Sequence, residues 1–288
     1  MTRSRWVAPV FALVAVSGFL LVFGVPTPAT PAFDGHPTHL DSCSEITESG
    51  RYVLTDDIDS RSESCIRIEA DNVILDGGNH VVDGHEFREN TTGVSVTGEN
   101  VTVRDLTALN WTFGVTYDGA RAGTVRNVTT WQTGDGVTVS DSPRTRVERV
   151  TATNGFTGIF VRNSGGSRVS NSVTRDTSSV GVFVADSGNV TVTNASVVRS
   201  ETGVALLGEA GSEMSDSVVR STGEAILLVD SHDDVIRNAT LSNPGGEAVV
   251  TRSNASDNRL VDMHGNWTYE DVSGTTAKNE SDGRVATR

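Results

Sequence analysis

From Cys43 onward the chain is a succession of short apolar–polar alternations broken by Gly, Asn, Asp and Ser. Val-x-Val triplets bounded by turn residues predict short, half-buried strands, not helices. They recur at a fixed pace. One series reads Gly93-Val-Ser-Val, Gly114-Val-Thr-Tyr, Gly136-Val-Thr-Val, Gly158-Ile-Phe-Val, Gly181-Val-Phe-Val and Gly203-Val-Ala-Leu, and continues at Ala225 and Ala248. A second series, Val103-Arg-Asp-Leu, Val125-Arg-Asn-Val, Val147-Glu-Arg-Val, Val169-Ser-Asn-Ser and onward, keeps the same step of about 22 residues. A fixed period of this size marks a solenoid. Leucine frameworks and 3.6-residue stripes are missing, so leucine-rich and helical repeats are excluded. About three strands per coil, wound in parallel, give an all-β parallel β-helix. The stretch from Cys43 to Trp267 holds about ten coils, a rod of roughly 48 Å at ~4.8 Å per rung.

Two recurring columns read as structural. Gly93, Gly114, Gly136, Gly158, Gly181 and Gly203 open the same strand, where a Cβ would clash or φ turns positive. Asp105, Asn127, Asn171, Asn194, Asp216, Asn238 and Asp262 share one turn position, with Arg149 the exception. Stacked Asn side chains exchange amide hydrogen bonds and tolerate a left-handed turn.

The N-terminus changes the picture. Arg3 and Arg5 precede an apolar run from Trp6 to Val25, and a Pro/Ala/Thr segment ends at Ala32. This is the layout of a secretory signal, or of a retained anchor, since the run is long enough to span a bilayer. The expected organisation is a signal peptide or anchor over 1–32, a linker over 33–42, the β-helix over 43–268 and a polar, flexible tail over 269–288. An even pair of cysteines behind an export signal favours a disulfide between Cys43 and Cys65, two buried thiols being the alternative. Closing that loop is worth roughly 3 kcal/mol in the chain-entropy model.

Charge narrows the partners. The 288 residues carry 37 acids against 23 Lys and Arg, a net charge of −14, and Lys278 is the only lysine. Such a surface repels polyanions, so no nucleic-acid partner is expected. It suits a salt-rich solvent, where screening relieves self-repulsion, and points to a halophilic source.

The motifs Gly50-Arg-Tyr-Val-Leu-Thr-Asp-Asp-Ile, Cys65-Ile-Arg-Ile and Asn72-Val-Ile-Leu-Asp-Gly-Gly-Asn-His-Val-Val-Asp-Gly, with the repeats after them, carry a family resemblance. Over residues 43 to 265 the chain resembles the right-handed parallel β-helix proteins of the carbohydrate-binding and sugar-hydrolase type. It is most similar there to exported archaeal members called NosD-like, after the accessory protein of nitrous-oxide reductase. The resemblance implies fold and export, and little about activity, because this fold hosts many functions. The copper of that name finds scattered donors, six separate His and three Met without a thioether cluster. Polygalacturonases of this fold are echoed only at Gly134-Asp135-Gly136 and His264-Gly265. Their Arg-Ile-Lys element is missing, as is the Asp-Pro-His-Glu motif of alginate epimerases.

Four sets of candidate residues follow. Trp111, Phe113, Trp131 and Phe156 lie in the most variable bend of three neighbouring coils, where exposed rings would stack on sugars; a core role is the alternative. Asp135, Arg175, Asp176, Arg199, Glu201, Arg220, Glu224 and Glu247 form a carboxylate/arginine rim. Carboxylates on adjacent rungs would stand about 5 Å apart, near the retaining-glycosidase spacing. With an arginine they would also suit a calcium-dependent lyase, and calcium is expected only in that case. The plainer reading is a solvated acid face. Of ten N-x-Ser/Thr sequons, Asn90, Asn110, Asn266 and Asn279 are the better glycosylation candidates, since Asn127, Asn194 and Asn238 fall in the Asn stack and are expected to be buried. Last, the third residue of each Gly-Val strand points outward. That column is Ser95, Thr116, Thr138, Phe160, Phe183, Ala205, Leu227 and Val250, polar first and apolar later. Phe160, Phe183 and Leu227 are expected in a contact with a second copy or a ligand.

The functional expectation is a secreted or cell-surface rod that binds a polysaccharide or surface glycan, with no metal and no confident catalytic motif. An enzyme acting on acidic polysaccharide and a purely adhesive rod are the alternatives.

Overall fold

The computed structural model describes residues 35–242, 248–266, 268–271 and 278–279. The segment 1–32, read as signal or anchor, lies outside the described residues, as does Glu247. Among the described residues every regular element is a strand. Eleven strands, one per coil, form one parallel sheet, and the remaining twenty form a second. The result is a solenoid of about ten coils, as the period requires.

Strict coil-to-coil register turns the valine repeat into columns. Ile66, Val94, Val115, Val137, Ile159, Val182, Val204, Ile226 and Val249 stand over one another along the inner face of the eleven-stranded sheet. Each is at most 1% exposed. On the facing sheet Leu75, Val103, Val125, Val147, Val169, Val192, Met214, Ile236 and Leu260 do the same. β-branched side chains fit such a pleated, close-stacked interior because their one stiff torsion costs little there.

Of the two reasons expected for the glycine column, close approach is the one found. A Cβ at Gly203 would sit 2.2 Å from Val219 Cγ1, and one at Gly158 2.6 Å from Thr174 Cγ2. None of the six is among the glycines with positive φ.

The Asn/Asp column does adopt the left-handed conformation, with φ of 52° at Asn127, Asn171 and Asn194 and at Arg149 as well. Amides donate from coil to coil: Asn127 Nδ2 to Asp105 Oδ1 at 2.6 Å, Asn194 to Asn171 at 2.8 Å, Asn238 to Asp216 at 2.7 Å. Asn127, Asn194 and Asn238 are exposed, not buried, because this bend turns its side chains to solvent.

Both ends correct the expected boundaries. Thr38–Leu40, in the stretch read as linker, is the first strand and pairs with Tyr52–Leu54, because Leu40 has a hydrophobic place to fill and is only 8% exposed. At the other end Tyr269–Asp271 extends the eleven-stranded sheet, and Lys278–Asn279 pairs with Arg259–Leu260, inside the stretch read as tail. Cys43 and Cys65 form a disulfide, with Cα atoms 4.5 Å apart, where the eleven-stranded sheet begins.

Candidate functional site

The outer face of the eleven-stranded sheet holds a cleft of about 380 Å³. Register builds it from three columns. Phe113 and Asp135 pair across adjacent strands at one edge. Thr116, Thr138 and Phe160 follow one another along the floor. Asp118, Ser140 and Arg162 form the other edge. The floor and the second edge project outward because the strand alternates about the inward Val115, Val137 and Val139, whereas Phe113 and Asp135 lie before the buried Gly114-Val115 and Gly136-Val137 pairs, where that alternation is interrupted.

Two features make this cleft chemically distinctive. The hydroxyls of Thr116 and Thr138, stacked on adjacent rungs, are buried and have no hydrogen-bond partner. A buried hydroxyl without a partner costs about 1–3 kcal/mol, which a ligand group could recover. Asp135, wedged between Phe113 and Thr157 on neighbouring rungs, has its carboxyl pushed above the ordinary range by burial. A hydrogen bond from Thr157 offsets part of that shift.

The four aromatic candidates separate. Trp111 is fully buried and its indole N–H donates to the carbonyl of Val82 at 2.9 Å, so it is core and not a sugar platform. It fills room that glycine leaves: a Cβ on Gly84 or Gly93 would meet its ring at 3.1 or 3.0 Å. Phe113 is half-buried in the cleft wall. Trp131 and Phe156 stand 42% and 59% exposed on the adjoining bend. Phe87, which the sequence reading passed over, is 54% exposed on another bend.

Among the described residues, no second carboxylate of the rim stands on a rung adjacent to Asp135. Asp135 has Phe113 and Thr157 as rung neighbours, and the next acid toward the C-terminus along that edge is Glu224, beyond Thr157, Val180 and Thr202. That is four rungs, roughly 19 Å. Asp176 is held instead by Arg199, at 2.5 and 2.8 Å, and the guanidinium keeps its carboxyl below the usual range. Glu224 binds Arg252 at 2.9 Å. Arg175 and Arg220 lie on one column with Val198 between them, and Glu201 is exposed.

Phe160, Phe183 and Leu227 continue the cleft floor in register through Ala205. The two rings sit 5.2 Å apart, and all three side chains are half-buried. Among the sequons, Asn90 is exposed, whereas Asn110 is half-buried and its amide donates to Asp83 at 2.9 Å. The side chains of Asn266 and Asn279 lie outside the described residues.

With this geometry in view, the chain can be placed among known proteins. Residues 60–197 match the family model described as right handed beta helix region. Residues 155–284 match the model described as periplasmic copper-binding protein (NosD). The fold is a right-handed parallel β-helix, and residues 155–284 are similar to the NosD family. No curated protein sequence matches it. Among solved structures, DFA-IIIase of Arthrobacter chlorophenolicus superposes with a TM-score of 0.62 at 10% identity, covering 84% of this chain and 80% of that one. The A-module of the Azotobacter vinelandii mannuronan C-5 epimerase gives 0.52 at 17% identity, covering 81% and 80%. Endopolygalacturonase I from Stereum purpureum, complexed with two galacturonate, gives 0.54 at 12%, covering 88% and 91%. Identities this low show a shared fold alone.

The copper of the second family description does not fit these side chains. Within the matched span the described His are His232 and His264, on separate coils, and His264 faces Asn238 at 3.2 Å. Met214 and Met263 are buried in the core. Among the described residues no group of three or more His, Cys, Asp or Glu could hold an ion.

Proposed function

We propose that this protein is an exported β-helix that binds a polysaccharide or surface glycan along the outer face of its eleven-stranded sheet. The observation that carries the reading is the cleft floor, where two unpartnered threonine hydroxyls lie beside the ring of Phe160. A pyranose has the matching character, an apolar face and a rim of hydroxyls, and concave apolar sites with a few convergent polar groups are where such ligands bind. Asp135 and Arg162 at the two edges add hydrogen-bonding groups that set orientation. The names of the structural neighbours, including one solved with galacturonate, support a saccharide as the ligand class. The basic-then-apolar N-terminus and the periplasmic description of the NosD model support export.

Binding is favoured over cleavage by geometry. The cleft carboxylates, Asp118 and Asp135, stand at opposite ends of the strand register, because Asp118 pairs with Ser140. Five strand positions put them roughly 16 Å apart, beyond the roughly 5–9.5 Å that two-carboxylate glycosidases use.

The test is retention on a panel of neutral and acidic polysaccharides, with new reducing or unsaturated ends scored in parallel. Thr138→Val should weaken retention five- to tenfold, the worth of one hydrogen bond, while the melting temperature of the free protein holds or rises, because valine removes an unpartnered buried hydroxyl. Unaltered retention would remove the cleft from the site, and new chain ends would replace binding by catalysis.

A further inference from the structure

A second stack of side chains runs inside the solenoid, at the bend that follows each strand of the eleven-stranded sheet. Ser142, Ser164 and Ser187 are buried there. Each accepts the backbone N–H of a residue one coil earlier, from Ala120, Ser142 and Ser164 in turn, at 2.9 Å. Each also donates its own hydroxyl proton to a carbonyl two residues back. In the next coil the acceptor changes to Glu209, whose Oε1 takes the N–H of Ser187 at 2.7 Å. Its Oε2 accepts the Ser212 hydroxyl at 3.0 Å, while the Ser212 N–H is taken by Asp234 Oδ1 at 2.8 Å. Two carboxyl groups therefore grip one serine. Both are 0% exposed, and Asp234 Oδ2 has no partner.

A serine brings a proton into this stack and a carboxylate does not. Two ionised carboxylates in a dry bend repel each other and lose their hydration. The neighbouring charged groups make this worse, for Asp186 and Asp233 are also acids and His232 alone is of opposite tendency. We propose that Glu209 and Asp234 form a buried proton-binding site, in which a retained proton does for these coils what the serine hydroxyl does for earlier ones.

Burial, ahead of every other cause, lifts the Glu209 carboxyl to about 7 and the Asp234 carboxyl to about 6. Since the folded acids keep their protons to higher pH than free ones, the stabilisation is full below the ordinary carboxyl range. It is lost as pH rises through about 6 and about 7. The C-terminal coils are tight in acid and loosened in mild alkali.

The experiment is urea unfolding of the full chain from pH 5 to pH 8, in chelator, for the wild type, Glu209→Gln and Asp234→Asn. In the wild type the unfolding constant should rise with pH by up to about tenfold per unit for each group, then level off. Each variant should lose its own share of that slope. Infrared spectra of the wild type should show a protonated carboxyl at pH 6 that is gone at pH 8, a readout that stands even where a variant fails to fold. A slope unchanged in a folded variant, or no protonated carboxyl at pH 6, would overturn the proposal.

Discussion

The solenoid carries two side-chain stacks with the same step and opposite surroundings. The outer one, Asp105 to Asp262, lies at an exposed bend, and its amides donate from one coil to the next. The inner one, made of the neighbouring columns Ser142 to Glu209 and Ser212 to Asp234, lies at a buried bend and satisfies backbone N–H groups of the coil before. The outer stack accommodates Asn, Asp and even Arg149, because water solvates whatever the ladder leaves unpaired. The inner stack has no such reserve. Every donor and acceptor in it must be met by protein or by a proton, since an orphaned buried group loses its full hydration. Exposure, more than hydrogen-bond geometry, decides how freely a ladder position can vary.

Three substitutions put that contrast under strain, in falling order of effect. Ser164→Ala strips the acceptor from the buried Ser142 N–H and should cost about 2–3 kcal/mol in urea unfolding. Asn194→Ala loses its bond to Asn171 and places alanine at a φ of 52°, yet should cost only about 1 kcal/mol, because water replaces the bond. Equal losses at the two sites would break the comparison. Arg149→Asn restores the one odd position of the outer stack, where asparagine accepts the left-handed backbone more readily. Its melting temperature should rise slightly, by the equivalent of about 0.5 kcal/mol.

The fold was legible because inward columns repeat what the coil repeats. A valine that must stack on a valine reappears every 22 or so residues, and Val115, Val137 and Ile159 display it openly. Bends carry less information. They lack the period-two alternation that tells inside from outside, so Trp111 passed for an exposed ring although Gly84 and Gly93 had vacated the space it fills. The rim acids failed for a related reason. Asp135 opens a strand of the eleven-stranded sheet, whereas Asp176 stands at the left-handed turn before the equivalent strand, so the two lie on different columns and neither has a carboxylate on the next rung. Ser142, Ser164 and Ser187 recur at the solenoid step, and that recurrence was the available signal. It was overlooked because serine in a turn reads as solvated. The unpartnered hydroxyls of Thr116 and Thr138 have no sequence signature, since their isolation depends on which side chains crowd the same face.

The disulfide between Cys43 and Cys65 gives the rod a mechanical polarity. Backbone bonds run from each coil to its neighbours, so tension along the axis loads one coil at a time, like a thread drawn from a spool. At the N-terminal end the thread is knotted, because the loop between the two cysteines cannot pay out. That loop stays closed under load, and each of the other coils, once released, lengthens the chain by roughly 70 Å. A protein tethered by its N-terminus would yield in steps beyond that loop.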